Sequence, residues 1–176
     1  MFLLETARLV IRPWQPADWE GFRALAQNPL VMQYINKGVP FTEEQAQAAF
    51  ARHVGNYEKL GFCMGALAEK DTARLVGVAG VQPLGTTGDL EIGWWLDPAA
   101  WGRGYASEAG AALVKYIFEV LGRDHLFAII DPPNEPSKRV AQRLGMRCEG
   151  RVTGAQLGHR LPEIVVDLYR LDRGPV

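Results

Sequence analysis

EIGWWLDPAAWGRGYASEA, residues 91–109, joins a strand, a glycine-bearing loop and the start of a helix within nineteen residues. The strand ends before Pro98, because proline cannot donate a hydrogen bond to a sheet ladder. Gly102 and Gly104 let backbone N–H groups approach a ligand without a Cβ in the way. The helix that follows directs its unpaired first-turn N–H groups and the positive end of its dipole at the same loop. The stretch therefore predicts a phosphate cradle, with Arg103 as an additional cation.

Two other interpretations of the glycines have to be weighed. The simplest is that Gly102 and Gly104 only shape a turn and a helix N-cap, since so short a motif carries little information. A dinucleotide-binding Rossmann loop also has glycines before a helix, but there they follow the strand directly. Here residues 98–101 intervene, and Ser107 stands where the third glycine belongs. The spacing argues against the dinucleotide fold and leaves the turn interpretation open.

The loop and a second block together resemble the GNAT superfamily of N-acetyltransferases. The pyrophosphate loop of that family has the pattern Q/R-x-x-G-x-G/A, and WGRGYA at residues 101–106 matches it with Trp101 in the first place. NEPSKRVAQRLGM, residues 134–146, is similar to the family's N-x-x-S-x-R-V-x-x-x-L-G-F block. TARLVIRPW, residues 6–14, resembles the first strand of the RimJ/RimL-like branch, which acetylates ribosomal-protein N-termini. The resemblance covers nearly the whole chain.

Composition and periodicity predict a single domain of mixed α/β structure over residues 1–176. The chain is 48% hydrophobic and 22% charged, which is enough apolar sequence for a core. Alternating and helical periods between turn signals give the order β-α-α-β-β-β-α-β-α-β-β. The resemblance implies a mixed, mostly antiparallel sheet of six to seven strands with helices on both faces. It also implies a V-shaped splay between strands four and five, where the pantetheine arm adds to the strand edge at residues 94–97.

Charge and hydropathy exclude several classes of function. Nineteen basic and twenty acidic residues, with a pI near 6.3, argue against direct nucleic-acid binding, which needs a basic face. No apolar run reaches the length of a membrane span and the first residues do not resemble a signal peptide, so we expect a cytoplasmic protein without membrane contact. Cys63 and Cys148 lack metal-ligand spacing, so we expect two free thiols in the core and no metal site. The sequence does not set the oligomeric state, and a homodimer stays open.

The resemblance implies acetyl-CoA as the cofactor. Asn134 follows an apolar strand, and its amide can bridge the pantetheine amides to protein backbone. The same side chain could instead cap the helix that begins near Pro136. Ser137 can hydrogen-bond the cofactor or protonate the leaving thiolate, and it could also cap its own helix. The residues assigned to the cofactor are Trp95, Leu96, Asp97, Trp101, Gly102, Arg103, Gly104, Tyr105, Ala106, Asn134 and Ser137.

Acetyl transfer from a thioester to an amine needs a neutral nucleophile, and Glu91 is the candidate base. The two-residue period puts Gly93 and Trp95 on its face of strand four, so we expect Glu91 to point into the cleft. Burial among tryptophans would raise its pKa and let it take the ammonium proton through a water. The alternative is an exposed strand glutamate paired with a cation. Many family members carry a tyrosine acid where this chain has Ala141, which leaves the general acid to Ser137, Tyr105 or water.

The acceptor is an amine, and a protein N-terminal α-amine and a small-molecule amine both stay open. We assign Tyr34, Trp94 and His159 to its site, with His159 in the turn at residues 153–162, although a loop histidine is more often a solvated surface residue. The sequence thus predicts an acetyl-CoA-dependent N-acetyltransferase that acts by direct attack in a ternary complex. A CoA-binding sensor or regulatory module with little catalysis is the alternative, because the tyrosine acid is missing.

Overall fold

The computed structural model describes residues 2–174 as one mixed sheet with helices on both faces. The strands are β1 (Leu4–Glu5), β2 (Leu9–Arg12), β3 (Met64–Glu69), β4 (Leu75–Pro83), β5 (Leu90–Leu96), β6 (His125–Ile130), β7 (Arg147–Thr153) and β8 (Val165–Asp172). The helices are α1 (Trp19–Ala26), α2 (Pro29–Met32), α3 (Glu43–Leu60), α4 (Tyr105–Lys115), α5 (Glu135–Arg143) and α6 (Gly154–Leu157). The predicted elements are all present, and β1, α2 and α6 are short additions to them.

The strands lie in the order β1-β2-β3-β4-β5-β6-β8-β7, and every neighbouring pair except β5 and β6 is antiparallel. The prediction of a mixed, mostly antiparallel sheet is therefore confirmed. The described residues form eight strands rather than six to seven, because residues 4–5 pair with β2 as a two-residue strand. A strand that short has no period by which the sequence could reveal it.

β5 and β6 diverge in the way the family resemblance implies. They are parallel, and the two strands pair through Glu91 opposite Phe127. Beyond Glu91, β5 continues to Leu96 while it pairs with β4 on its other side. The β6 side of residues 92–96 is therefore left without a strand partner, and the splay opens a cleft in the sheet.

Aromatic contacts fix the helices on the two faces of the sheet. Trp95 of β5 packs against Phe22 of α1 with ring centroids 5.7 Å apart, and α3 packs on α1. On the opposite face α4 packs against β4 and β5, and Phe2 packs against Tyr116 at the end of α4 with centroids 5.4 Å apart. Such large rings bury much apolar area, so the core lies on both sides of the sheet.

Helix α3 shows how local signals set the ends of an element. The Thr42 and Gln45 side chains and backbones form a reciprocal capping box at its start. Its last turn closes at Gly61, which has a left-handed φ of +77°. Among residues 2–174 no helix combines the length and the apolar character that crossing a bilayer requires.

The two cysteines differ in environment. Cys63 is buried, and burial raises the pKa of its thiol to about 12. Cys148 is exposed, so the prediction that both thiols lie in the core is wrong for Cys148. It lies on β7, an edge strand whose first five residues are exposed. The residues of a strand do not reveal whether that strand ends up at the edge of the sheet.

Candidate active site

The loop between β5 and α4 has the backbone shape of an anion cradle. Gly102 and Gly104 have φ angles of +72° and +78°, a region that residues with a Cβ rarely adopt. Gly104 is the N-cap of α4, and no side chain caps that helix start. The first-turn N–H groups of an eleven-residue helix therefore face the loop, together with the positive end of its dipole.

A cavity of about 810 Å³ opens at this loop, and we call it the loop cavity. Trp101 forms part of its wall, and its indole N–H donates to the carbonyl of Leu96 at 2.9 Å. The volume is that of a site for a small ligand or cofactor. Nine of the eleven residues assigned to the cofactor line it: Trp95, Leu96, Trp101, Gly102, Gly104, Tyr105, Ala106, Asn134 and Ser137.

Arg103 and Asp97 do not line the loop cavity. The Arg103 guanidinium donates to Glu69 at 2.8 Å, and the Tyr105 hydroxyl donates to the same carboxylate at 2.9 Å. Asp97 accepts from the N–H of Ala99 at 2.8 Å and so caps the short turn after β5. The structure thus corrects the expectation that Arg103 is a free cation beside the loop. Both side chains hold the loop in shape instead.

A second cavity, of about 410 Å³, lies where β5 and β6 separate, and we call it the Glu91 cavity. Because the two cavities share a wall, a group bound in one adjoins a group bound in the other. The residues that line both are Tyr34, Ile35, Trp94, Trp95, Asn134 and Ser137.

Glu91 lies in the wall of the Glu91 cavity and is 3% exposed, which excludes the alternative of an exposed strand glutamate. Its Oε1 accepts a hydrogen bond from Nε2 of Gln82, the residue opposite it on β4. Its Oε2 is buried and has no hydrogen-bond partner among the described residues. Burial raises the pKa of Glu91 to about 7, against the smaller lowering effects of Gln82 and Arg160. A carboxylate with this pKa and a free oxygen is suited to proton transfer near neutral pH.

Asn134 and Ser137 lie at the junction of the two cavities. The Asn134 Oδ1 accepts from the N–H of Ser137 at 3.2 Å, so it caps α5. Its amide nitrogen stays available to a ligand, and capping and binding are compatible. Ala141, one turn further along α5, is fully buried. The position of the family's tyrosine acid therefore carries only a methyl group in the core.

The three residues assigned to the acceptor also lie in these walls. Tyr34 and Trp94 line both cavities, and His159 lines the Glu91 cavity. The Nδ1 of His159 accepts from the N–H of Leu161 at 3.1 Å, so the neutral ring carries its proton on Nε2. Burial lowers the pKa of His159 and favours that neutral ring. His159 is therefore a hydrogen-bond donor at Nε2 rather than a base.

Several lining residues were not singled out from the sequence. Gln82 could have been found from the register of the β4–β5 hairpin, which sets it opposite Glu91. Arg160 lies in the turn assigned to the acceptor, but nothing in the local pattern distinguishes it from other surface arginines. Arg139 and Arg143, one turn apart on α5, line the loop cavity and add positive charge there.

Comparisons with known proteins agree with this geometry. The family model described as the acetyltransferase (GNAT) domain matches residues 8–147. The uncharacterized N-acetyltransferase YnaD of Bacillus subtilis is 35% identical over 148 residues, which is 84% of each chain. The crystal structure of an acetyltransferase from Agrobacterium tumefaciens superposes with a TM-score of 0.83 at 27% identity, over 98% of this chain and 95% of that one. RimL, a ribosomal L7/L12 α-N-protein acetyltransferase solved in complex with coenzyme A, shares the fold with a TM-score of 0.76 at 17% identity, over 97% of both chains.

Proposed function

This chain belongs to the GNAT acetyltransferase family, and we propose that it transfers the acetyl group of acetyl-CoA to a primary amine by direct attack in a ternary complex. The acceptor is a protein N-terminal α-amine or a small-molecule amine. One observation carries the proposal: Glu91, whose buried Oε2 has no hydrogen-bond partner among the described residues, lines a cavity that adjoins the loop cavity.

The residues of the loop cavity fit acetyl-CoA. The first-turn N–H groups of α4 and the loop at Gly102 and Gly104 would hold the pyrophosphate. The unpaired edge of β5 would hold the pantetheine arm through main-chain hydrogen bonds, with Asn134 opposite it. When bound, acetyl-CoA supplies the acetyl group as an activated thioester.

Glu91 would take the proton that the acceptor ammonium must lose. Gln82 fixes Oε1 by its hydrogen bond, which leaves Oε2 to receive the proton directly or through one water. The amine nitrogen then bonds to the acetyl carbon, the carbon–sulfur bond breaks and the thiolate leaves, while the second proton that the nitrogen loses passes to the thiolate or to solvent. Because the pKa of Glu91 is about 7, a large fraction of the side chain is ionised at neutral pH.

The leaving thiolate needs little help. A thiol of ordinary pKa, about 8.5, is a competent leaving group without a strong acid. Ser137 lines both cavities and is our candidate for the hydroxyl that hydrogen-bonds the sulfur and relays to it the proton that the amine nitrogen loses. The Tyr105 hydroxyl is engaged by Glu69, so we do not assign it this role.

A second candidate function is a CoA-binding sensor with little catalysis. The observation that favours it is Ala141, which removes the usual tyrosine acid of the family. Binding of CoA without thiol release for any amine would support the sensor.

The test is thiol release with a panel of amines, for the wild type and for Glu91→Gln. Loss of a general base should lower kcat by about a hundredfold or more, while the affinity for CoA stays within a factor of two or so. Glu149→Gln is the matched control, because Glu149 is exposed on the edge strand β7. Wild-type turnover by Glu91→Gln would remove the carboxylate from the mechanism.

A further inference from the structure

Arg160 lies in the wall of the Glu91 cavity with its charge unpaired. It is exposed in the turn between α6 and β8, and among residues 2–174 no carboxylate lies within ion-pair distance of it. The other cation of that wall, Lys37, is paired with Glu163. An arginine side chain without a partner, facing a cavity, is available to a ligand.

A second guanidinium lies near Arg160. Arg52 of α3 is half-buried and likewise has no ion-pair partner among the described residues. Burial lowers the pKa of Arg52, and the charge of Arg160 lowers it further. Arg52 does not line the cavity, but its positive charge adds to that of Arg160, so an anionic group that contacts Arg160 is attracted by both.

The wall of the Glu91 cavity therefore holds both a buried carboxyl group, Glu91, and an unpaired guanidinium, Arg160. Glu91 and Arg160 interact electrostatically, because the charge of Arg160 opposes the rise that burial causes in the pKa of Glu91. The two side chains nevertheless do not form an ion pair, and both line the same space. Asp131, another carboxylate of that wall, has its pKa raised by burial and by Asp167. A small molecule that carries both an amine and an anionic group matches this pair of side chains.

We propose that the acceptor carries a carboxylate close to its amine, and that Arg160 binds the carboxylate while Glu91 takes the proton from the amine. A planar guanidinium suits this role, because it donates two parallel hydrogen bonds to a carboxylate. The inference rests on the proposed function, since it assigns the substrate class of the same site. A free amino acid offers its α-carboxylate, whereas a peptide offers a carboxylate only when its first residues are acidic.

The experiment compares kcat/KM for amino acids and for their amides, and for peptides that begin with Asp or with Asn. The ratio of kcat/KM for the acid to kcat/KM for the amide should be about tenfold or more lower in Arg160→Met than in the wild type, mainly through KM. In Arg160→Glu, which repels a carboxylate, this ratio should be lower still. Comparing each ratio between variants cancels the difference in amine pKa between an acid and its amide. Arg160→Lys should restore part of the ratio, and added salt should reduce it in the wild type.

Arg147→Met is the matched control, because Arg147 is exposed on β7. An acid-to-amide ratio that Arg160→Met leaves unchanged would overturn the inference. If the wild type acetylates no amine, the proposed function fails, and calorimetry on the CoA complex then tests the inference separately. N-acetyl amino acids should bind about tenfold or more tightly than their amides to the wild type but not to Arg160→Met, and equal or absent binding would overturn it.

Discussion

The loop cavity and the Glu91 cavity adjoin each other, yet they are built differently. In the loop cavity the backbone of one continuous stretch, residues 101–107, forms the anion cradle, whose shape depends on two positive φ angles, and Arg139 and Arg143 of α5 add positive charge. The Glu91 cavity collects side chains from segments far apart in the chain, such as Tyr34, Gln82 and Arg160. The shape of the first site depends on backbone geometry, whereas substitution of side chains alone can change the chemistry of the second without loss of the fold.

The largest effect should follow from changing the backbone of the loop cavity. Gly104→Val places a β-branched residue at φ +78°, where the added Cβ itself meets only Arg8 at 3.6 Å. The cost is therefore in the backbone, and relieving it moves the N–H groups away from the position proposed for the pyrophosphate. Loss of two charge-assisted hydrogen bonds amounts to a drop of about a thousandfold in CoA affinity, which calorimetry measures.

Gly55→Ala is the control for this change. Gly55 lies within α3, and a Cβ added there meets nothing within 4 Å. Its substitution should leave CoA affinity unchanged and stabilise the helix by about 1 kcal/mol. Equal CoA affinity for Gly104→Val and Gly55→Ala would mean that the loop does not bind the pyrophosphate.

In the Glu91 cavity, replacing Glu91 should produce a smaller effect, which is on the pH dependence of stability. Burial raises the pKa of Glu91 from 4.5 to about 7, so the folded protein favours the protonated acid. Relative to the unfolded chain, the stability of the folded protein does not depend on the ionisation of Glu91 below pH 4.5, where the group is protonated in both states. The folded protein loses stability as the pH rises from 4.5 to 7, where the unfolded chain ionises first. The Gln side chain of Glu91→Gln cannot ionise. The free energy of unfolding of the variant minus that of the wild type should therefore increase by about 3 kcal/mol from pH 4 to pH 8.

Urea denaturation of both proteins at several pH values checks this prediction. Gln can still accept the hydrogen bond from Gln82, so the comparison isolates the buried charge. A stability difference that is constant from pH 4 to pH 8 would show that Glu91 is not desolvated in the folded protein.

The same contrast explains what could be predicted from the sequence. Gly102 and Gly104 lie within a few residues of the helix they precede, so local pattern is enough to predict the loop. The two-residue period likewise puts Glu91 and Trp95 on one face of β5. Arg160 could not be assigned, because its place beside β5 depends on the sheet order and on the turn after α6. The exposure of Cys148 depends on the same order.

Arg103 shows a different limit of local pattern. Its position beside two glycines suggests a phosphate contact, but its guanidinium forms an ion pair with Glu69 at the end of β3. Glu69 also holds Arg74 and the Tyr105 hydroxyl, and these hydrogen bonds lower the pKa of Glu69 to about 2. This ion pair with a distant strand is what local pattern could not predict, because Glu69 is 34 residues away in the sequence.

If Glu91 is the general base in the Glu91 cavity, as we propose, its ionisation sets the pH dependence of kcat. With saturating acetyl-CoA and amine, the wild-type kcat should rise as the pH passes through a value near 7, where the Glu91 carboxylate forms. Glu91→Gln should lack this rise, and its deficit should shrink as the pH approaches the pKa of the amine, where the neutral nucleophile forms unaided. A rise near pH 7 that persists unchanged in Glu91→Gln would assign the base to another group and rule out Glu91.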